Sequence, residues 1–469
     1  MDPSAKGEGL LLILAAFTVI LSWPEASAEA ARRAGELGAG VLVIPFAPSA
    51  PPAPPGVDLV AAVPADAASI DAARRAGFRG VMISAPDQEP ALRALLQRYR
   101  EFIRIVSLAP AQAHWNVSPA MAAVRAGHWP GLQAANGEAG ATEQPWINAN
   151  LHVYSWLRGF FPGRAPVLDV APPDGSLQYE GAEIALAEAW AFRGGVILRL
   201  PDAMREGLAR GDARAASSWS KLCETAAFLR SRAAASPFVS ASSLAVLIPQ
   251  WDEEFEEILN LAWRQQLAPE VLPAGRFAPR AGLRFAAAVN HTPPAPVRQQ
   301  LRDFAAAGGT VIIAPEAGKP PAPWTEGARL LGKEGPYEKC ALGRGALRLF
   351  AEPVLDPYEF ALHLREIIGM DNPLGRGLHG LDVRIWNAAT VLPVLSRHAG
   401  GVRVVLIAYG RRLDHDFLVG LRGRWRRAEL VQPGAAAAHL KLMQRAGRVE
   451  WNQPGLPRLA VVTLEEDAR

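Results

Sequence analysis

Two stretches, AARRAGELGAGVLVIPF (30–46) and AARRAGFRGVMISAP (72–86), repeat one structural unit and decide the predicted fold. Each begins as a helix rich in Ala and Arg, reaches a glycine, and continues as an unbroken apolar run that ends at proline. A glycine after a helix provides the left-handed cap that ends it. An apolar run without alternation is typical of a parallel strand that is buried on both faces. The repeat therefore predicts successive helix–strand units in a parallel sheet.

Further apolar runs of the same kind continue through the first half of the chain. They are VDLVAAVP (57–64), FIRIVSLAP (102–110), APVLDVAPP (165–173) and GGVILRLP (194–201), with one more segment near 128–136. Seven or eight such strands within roughly 230 residues predict an irregular (β/α)8-type barrel. A doubly wound α/β sheet is the alternative.

Two changes of sequence texture predict two more domains. A Ser-, Ala- and Pro-rich linker at 231–243 precedes a second series of strands and helices, which predicts a flavodoxin-like α/β domain. From residue 355 the chain carries short runs with period-2 alternation, which predict an antiparallel β-sandwich. The predicted α/β architecture is therefore a barrel at 29–235, a flavodoxin-like domain at 240–352 and a sandwich at 355–469.

Composition excludes several functional classes. The 469 residues carry a formal charge of only +3, which gives no electrostatic reason to expect nucleic acid as a partner. The two cysteines, Cys223 and Cys340, are too few for a thiolate metal site or a disulfide framework, and His114 and His128 have no metal-ligand spacing. No GxGxxG motif follows a predicted strand, and GxxxxGK[ST] and GxSxG motifs are missing from the sequence, so no cofactor is expected and a serine hydrolase lacks support.

The N-terminal segment has two interpretations. The apolar run GLLLILAAFTVILSW, followed by small residues up to Ala28, resembles a signal peptide, so residues 1–28 would be removed and the protein would be extracytoplasmic. Alternatively, AFTVILSW is a buried first strand and the protein is cytoplasmic. The run is too short and too poorly flanked for a stable membrane span.

Three carboxylates are the candidate catalytic residues. Asp169 lies near the end of an apolar strand, where barrel enzymes place reactive groups, and burying it unpaired would be costly. Glu138 and Glu143 lie in the loop that precedes PWINAN. The alternatives are a paired structural aspartate and two solvated loop glutamates. Glu183 and Glu188, on the helical stretch 180–195, are predicted to lie at the surface.

An aromatic and amide-rich segment, PWINANLHVYSWL (145–157), supplies the candidate ligand-binding residues. Indole faces stack on sugar rings, and amides both donate to and accept from hydroxyl groups. The candidates are Trp146, Asn148, Asn150 and Tyr154, together with Trp129 of the nearby HWPG segment. The alternative is an aromatic patch of core, which the helical spacing within LHVYSWL favours for Tyr154 and Trp156.

Five motifs carry a resemblance to a known group of proteins. They are WPG (129–131), GATEQPWINANLHVYSWL (140–157), PVLDVAPP (166–173), ALAEAWAFRGGVILRL (185–200) and VRQQLRDFAAAGGTVIIAPE (297–316). In these motifs and in its domain order the chain resembles uncharacterised, glycoside-hydrolase-like bacterial proteins related to retaining β-galactosidases. The resemblance implies a (β/α)8 barrel, a middle domain like the class I glutamine amidotransferases, and a C-terminal β-sandwich.

The resemblance also implies a reaction mechanism, and this sequence departs from the pattern of the group at two places. Retaining glycosidases need an acid/base and a nucleophile about 5–5.5 Å apart, and here Asp169 would pair with Glu138 or Glu143. An acidic residue would be expected where PWINAN has Asn148, and the middle domain lacks the nucleophilic cysteine of the amidotransferases. Hydrolysis of an oligo- or polysaccharide is therefore one predicted function. The others are non-catalytic carbohydrate binding or assembly on a degenerate barrel, and a structural partner-binding role; a homo-oligomer is compatible with each.

Overall fold

The computed structural model describes residues 17–84, 88–115, 121–132, 146–232, 237–318, 324–370, 380–445 and 447–466. The described chain forms an eight-stranded parallel sheet, then a mixed sheet, then two antiparallel sheets. The order of these sheets along the chain confirms the predicted fold class.

The first sheet is a nearly closed barrel. The strands of this half are β1 (Thr18–Ser22), β2 (Val41–Pro45), β3 (Asp58–Val63), β4 (Gly80–Ser84), β5 (Ile103–Ser107), β6 (Met121–Val124), β7 (Gly131–Leu132), β8 (Ile147–Asn148), β9 (Ala165–Val170) and β10 (Gly195–Arg199). The barrel order is β5-β4-β3-β2-β1-β10-β9-β6, with every pairing parallel, while β7 and β8 form a separate hairpin. A parallel bridge from Leu108 to Val124 brings β5 to β6. The barrel prediction is thus confirmed over the doubly wound alternative.

Helices surround the barrel, although not after every strand. They are α1 (Ala28–Leu37), α2 (Ala67–Arg75), α3 (Glu89–Arg98), α4 (Leu151–Phe160), α5 (Gly181–Ala191), α6 (Asp202–Arg210) and α7 (Ala213–Ser231). Ser27 caps the start of α1 through its side chain, and Gly38 ends it at φ 65°, as the repeated unit predicts. No helix lies in the described loop between β2 and β3, and a 3-10 turn at Pro110–Trp115 follows β5, so the barrel is irregular.

Strand β1 bears on the two interpretations of the N-terminus. It lies between β2 and β10, pairs with both, and is almost wholly buried. Residues Thr18–Ser22 thus form a barrel strand, which cleavage after Ala28 would remove. Among the described residues, no helix is long and apolar enough to cross a membrane.

The second unit is a three-layer α/β arrangement. Its strands are β11 (Leu244–Ile248), β12 (Glu270–Pro273), β13 (Phe285–Ala288), β14 (Thr310–Ile313), β15 (Arg329–Glu334), β16 (Tyr337–Leu342) and β17 (Gly345–Phe350), and its helices are α8 (Glu253–Arg264), α9 (Ala295–Ala306) and α10 (Pro357–Met370). The order β12-β11-β13-β14-β17, all parallel, has the 2-1-3-4-5 pattern of flavodoxin-like sheets. The antiparallel strands β15 and β16 extend this sheet and were not predicted.

The third unit is the predicted antiparallel sandwich. Its strands are β18 (Val383–Trp386), β19 (Val391–His398), β20 (Gly401–Ala408), β21 (Phe417–Arg422), β22 (Trp425–Val431), β23 (Ala438–His439), β24 (Met443–Arg445), β25 (Arg448–Gln453) and β26 (Leu459–Glu466). The sheets β18-β21-β25-β24 and β19-β20-β26-β22-β23 enclose a separate apolar core.

The three units share buried surface. Helix α4 packs against β12 of the middle unit, and α5 packs between the barrel and β20 of the sandwich. One apolar cluster accordingly contains Leu21 of the barrel, Val271 of the middle unit and Tyr409 of the sandwich. The relative positions of the units are therefore set by side-chain packing and not by linkers alone.

Candidate functional site

The inside of the barrel is layered. A separate apolar cluster fills its middle with Ile20, Val43, Val60, Met82, Ile105, Ala123, Val167 and Ile197, one residue from each strand. Side chains two positions further along a strand face the same way. The next inward positions, toward the carboxyl ends, are therefore Ser22, Pro45, Ala62, Ser84, Ser107, Arg125, Asp169 and Arg199. This layer, here called the mouth layer, consists mainly of small or polar residues.

Asp169 is the carboxylate of the mouth layer. It is 2% exposed, its Oδ2 accepts a hydrogen bond of 2.7 Å from the Ser107 hydroxyl, and its Oδ1 forms an ion pair with Arg199. Strand β6 separates β5 from β9, so a hydrogen bond between Ser107 and Asp169 must cross the barrel interior. Asp169 lies near the end of its strand, as predicted. It is also paired, with Ser107 and Arg199, as the alternative of a structural aspartate predicts.

Arg199 is a candidate site residue that the sequence analysis did not identify. Its side chain is 31% exposed, so the guanidinium reaches from Asp169 toward the open end of the barrel. The available signal was an arginine inside the otherwise apolar run GGVILRL, two residues before Pro201. An arginine at that position can pair with a buried carboxylate and still donate hydrogen bonds to a ligand oxygen.

The second carboxylate of the predicted pair is not placed. Glu138 and Glu143 lie outside the described residues, so the structure gives no distance between their carboxyl groups and that of Asp169. Within the mouth layer itself, the other seven positions carry no acidic residue. Among the residues that the structure describes, no group of three or more His, Cys, Asp or Glu side chains is placed to hold a metal ion.

Three predicted ligand-binding residues are core residues. Trp129 is 4% exposed and donates from Nε1 to the Gln178 carbonyl at 2.8 Å, and Tyr154 is 1% exposed and donates to the Gly195 carbonyl at 3.0 Å. Asn150 is fully buried. These side chains offer no surface to a ligand, because each is enclosed by the residues packed around it. For Tyr154, the core alternative is confirmed.

Two predicted ligand-binding residues remain accessible. Trp146 is 46% exposed, and the guanidinium carbon of Arg264 lies 4.5 Å from its ring centroid. Asn148 is partly exposed in the β7–β8 hairpin, two residues further along the chain. A platform built from this segment is therefore restricted to Trp146 and Asn148.

Glu188 overturns the prediction of a surface glutamate. Helix α5 is buried on every face, because the barrel covers one side while α7 and β20 cover the others. Glu188 accepts from the Asn150 backbone N–H at 2.7 Å, the Asn150 Nδ2 at 3.0 Å and the Tyr409 hydroxyl at 2.7 Å. Burial raises the pKa of Glu188 to about 7, although these three hydrogen bonds favour the ionised form.

Glu183, also predicted at the surface, lies one turn earlier and is likewise buried. Its Oε2 is 3.2 Å from the Arg412 guanidinium, and the two residues line a cavity of about 480 Å³ between barrel and sandwich. Burial raises the pKa of Glu183, and the charges of Arg458 and Arg412 oppose that shift. Both glutamates therefore act at the interface between two units.

Comparison with known proteins gives a fold and no family. No protein-family model matches the sequence, and no curated protein matches it. Among solved structures, the α-L-fucosidase isoenzyme 2 from Paenibacillus thiaminolyticus is similar with a TM-score of 0.55 and 9% identity, over 96% of this chain and 99% of that chain. This likeness, at such low identity, shows a glycoside-hydrolase-like fold alone.

Two further solved structures are similar at lower scores. The β-galactosidase from Rahnella sp. R3 has a TM-score of 0.41 and 10% identity, over 82% of this chain and 65% of that chain. The exo-β-1,4-mannosidase Op5Man5 from Opitutaceae bacterium strain TAV5 has a TM-score of 0.42 and 10% identity, over 74% and 93%.

Proposed function

We propose that the chain is a carbohydrate-active protein that binds a saccharide at the mouth layer of its barrel, with Asp169 as the central carboxylate. The observation that carries the proposal is the inward position of Asp169 at the carboxyl end of β9, beside a partly exposed Arg199. Barrel enzymes build their sites at this end. The fold likeness to a fucosidase supports a saccharide as the ligand class.

Hydrolysis is the first form of this proposal. Asp169 would act as nucleophile or charge stabiliser, since its contacts with Arg199 and Ser107 fix its orientation. Glu138 or Glu143, which precede β8 in the sequence, would protonate the glycosidic oxygen. A retaining mechanism needs the two carboxyl groups about 5–5.5 Å apart.

Non-catalytic saccharide binding is the second form. The observation that favours it is that both oxygens of Asp169 are already engaged, one by Ser107 and one by Arg199. The exposed face of Trp146 beside Asn148 would then supply the stacking and amide contacts.

A hydrolysis screen tests the first form. Aryl glycosides of several sugars are offered to the wild type and to Asp169→Asn, Glu138→Gln and Glu143→Gln. The expected result is turnover that falls at least a hundredfold in Asp169→Asn and in one glutamate variant. Asp174→Asn is the matched control, because Asp174 is an exposed carboxylate in the loop that follows β9. Equal loss in the control, or turnover that survives Asp169→Asn, would contradict the assignment.

A binding titration tests the second form. Oligosaccharides are titrated calorimetrically into the wild type and Trp146→Ala. Trp386→Ala is the control, since Arg384 lies over that indole at 4.6 Å much as Arg264 lies over Trp146. Affinity reduced about tenfold in Trp146→Ala alone is expected for a stacking platform. Undiminished affinity in Trp146→Ala would remove Trp146 from the site.

A further inference from the structure

A cavity outside the barrel lies between helix α5 and the sandwich. Its volume is about 480 Å³, and its walls come from α5 at Glu183, from α7 at Ser218 and from the sandwich at Arg412 and Arg458. Small-molecule sites often lie where domains meet and have volumes of roughly 300 to 1,000 Å³. Asp169 points into the barrel and does not line this cavity, so the cavity is separate from the mouth layer.

Glu183 places an accessible hydrogen-bond acceptor in the cavity wall. The residue is 3% exposed, and its Oε2 is paired with Arg412 at 3.2 Å. Its Oε1 accepts no hydrogen bond from the described residues, and it is not one of the unpartnered polar atoms that the protein encloses completely. Oε1 of this buried carboxyl group therefore faces the cavity, where a ligand can donate to it.

Arg458 places an accessible donor in the same wall. The residue is 2% exposed, and its Nη1 donates to the Ala408 carbonyl at 2.7 Å and the Gly410 carbonyl at 2.8 Å. Its Nε is enclosed, but its Nη2, which has no hydrogen-bond partner among the described residues, is not. Arg458 lies close to Glu183, since it lowers the pKa of that carboxyl group more than any other neighbouring charge.

The two accessible atoms belong to groups of opposite charge. An anion would be repelled by Glu183, and a cation would be repelled by Arg458. A hydroxyl group both donates and accepts, so two adjacent hydroxyl groups can serve the carboxylate and the guanidinium together. Hydrogen bonds to such charged groups are stronger than those between neutral groups. The remaining charges of the wall, on Glu180, Lys221 and Arg411, are exposed and screened by salt.

We propose that this cavity binds a neutral polyhydroxy compound, with one hydroxyl group donating to Glu183 Oε1 and a neighbouring one accepting from Arg458 Nη2. A sugar ring carries adjacent hydroxyl groups of this kind. The site is additional to the one proposed at the mouth layer and does not rest on it, because its residues and its cavity are different. A ligand held in this way contacts α5 and the sandwich at once, so it stabilises their interface.

Calorimetric titration of the full chain at pH 7 tests the proposal. Cellobiose, lactose and maltose are titrated into the wild type, Ser218→Trp and Ser217→Trp. Ser218 lines the cavity, whereas Ser217 is exposed on the same helix outside the cavity wall. At least one disaccharide is expected to bind the wild type and Ser217→Trp alike, and at least tenfold more weakly to Ser218→Trp, whose indole fills the cavity. No binding of any disaccharide, or full affinity in Ser218→Trp, would overturn the proposal.

A second pair of variants tests the chemistry of the wall. Glu183→Gln keeps the shape of the side chain and removes its charge, so it should weaken binding about tenfold. Glu180→Gln, at an exposed position of the same cavity, should change affinity less than twofold. Undiminished affinity in Glu183→Gln would refute the assigned contact. Binding of inorganic phosphate that Ser218→Trp abolishes would identify an anion site and overturn the neutral ligand.

Asp169→Asn separates this site from the mouth layer. Affinity at the cavity should be unchanged in Asp169→Asn, whatever that variant does to hydrolysis. Disaccharide binding that is lost in Asp169→Asn and kept in Ser218→Trp would belong to the mouth layer and would overturn the site proposed at the cavity. Binding that is kept in Asp169→Asn and lost in Ser218→Trp would support the cavity site even where the hydrolysis screen finds no turnover.

Discussion

Glu188 makes the stability of this protein depend on pH near neutrality. Burial raises its pKa from the usual 4.5 to about 7, and no cation is among the causes of the shift. The protonated form is therefore favoured in the folded chain relative to the unfolded chain. The stabilising contribution is complete below pH 4.5 and is lost as the pH rises through 7. At about 1.36 kcal/mol for each pH unit between the two pKa values, the free energy of unfolding falls by about 2 to 3 kcal/mol between pH 5 and pH 8.

Replacing Glu188 by glutamine isolates this contribution. Glutamine does not titrate, so the difference in free energy of unfolding between wild type and Glu188→Gln reports residue 188 alone. Urea denaturation at pH 5, 6, 7 and 8 should show the wild type losing about 2 to 3 kcal/mol of unfolding free energy relative to the variant across that range. The variant itself loses hydrogen-bond geometry to Asn150, which adds a constant offset and leaves the slope unchanged.

An exposed carboxylate provides the control for this measurement. Glu101→Gln, which removes an exposed glutamate of the loop before β5, is measured in parallel as the matched Glu→Gln substitution. The reasoning would be refuted by a difference for Glu188→Gln that stays constant from pH 5 to pH 8. It would also be refuted by a wild type that gains stability relative to that variant as the pH rises.

Three further predictions concern the hydrogen bond from Tyr409 to Glu188, the Asp169–Arg199 ion pair and strand β1. Tyr409→Phe removes a hydrogen bond to Glu188 and should destabilise the chain by about 1 kcal/mol, more at pH 8 than at pH 5 because the bond favours the carboxylate; urea denaturation at both values checks this. Arg199→Gln leaves Asp169 buried without its ion pair and should cost about 2 kcal/mol, and the double variant with Asp169→Asn should cost less than the sum of the single variants; additive costs would refute the coupling. Deletion of residues 1–28 removes β1 and should abolish cooperative unfolding measured by circular dichroism, whereas a folded truncated chain would support a removable signal segment and an extracytoplasmic location.

The order of domains could be predicted from the sequence because each fold class has its own local pattern. The unbroken apolar runs gave the barrel strands β2, β3 and β9, and period-2 alternation gave β19, β20 and β26. The hairpin of β15 and β16 was missed because its sequence does not distinguish a strand from a loop. Every residue of β15 is exposed, so no apolar face marks it.

The candidate site was less predictable because it depends on contacts between distant parts of the chain. Asp169 could be found from its position on an apolar strand, but its ion pair with Arg199 depends on β9 and β10 lying side by side. The burial of Glu188 depends on Tyr409, which is 221 residues away in sequence. The local sequence of a helix predicts which of its faces is apolar, but it does not predict which other domain packs against a given face.

The burial of α5 explains both the wrong prediction and the coupling that follows from it. A helix with two glutamates and many alanines is typical of a surface helix when one neighbour is assumed. Here the sandwich packs on a second side of the helix. Glu188 is therefore shielded from solvent and accepts a hydrogen bond from Tyr409, while Glu183 forms an ion pair with Arg412. The polar residues of α5 therefore hold the sandwich against the barrel through hydrogen bonds and an ion pair. Because Glu188 also accepts from Asn150, which lies two residues after β8, the charge of one carboxylate links the sandwich to the segment that carries Trp146 and Asn148.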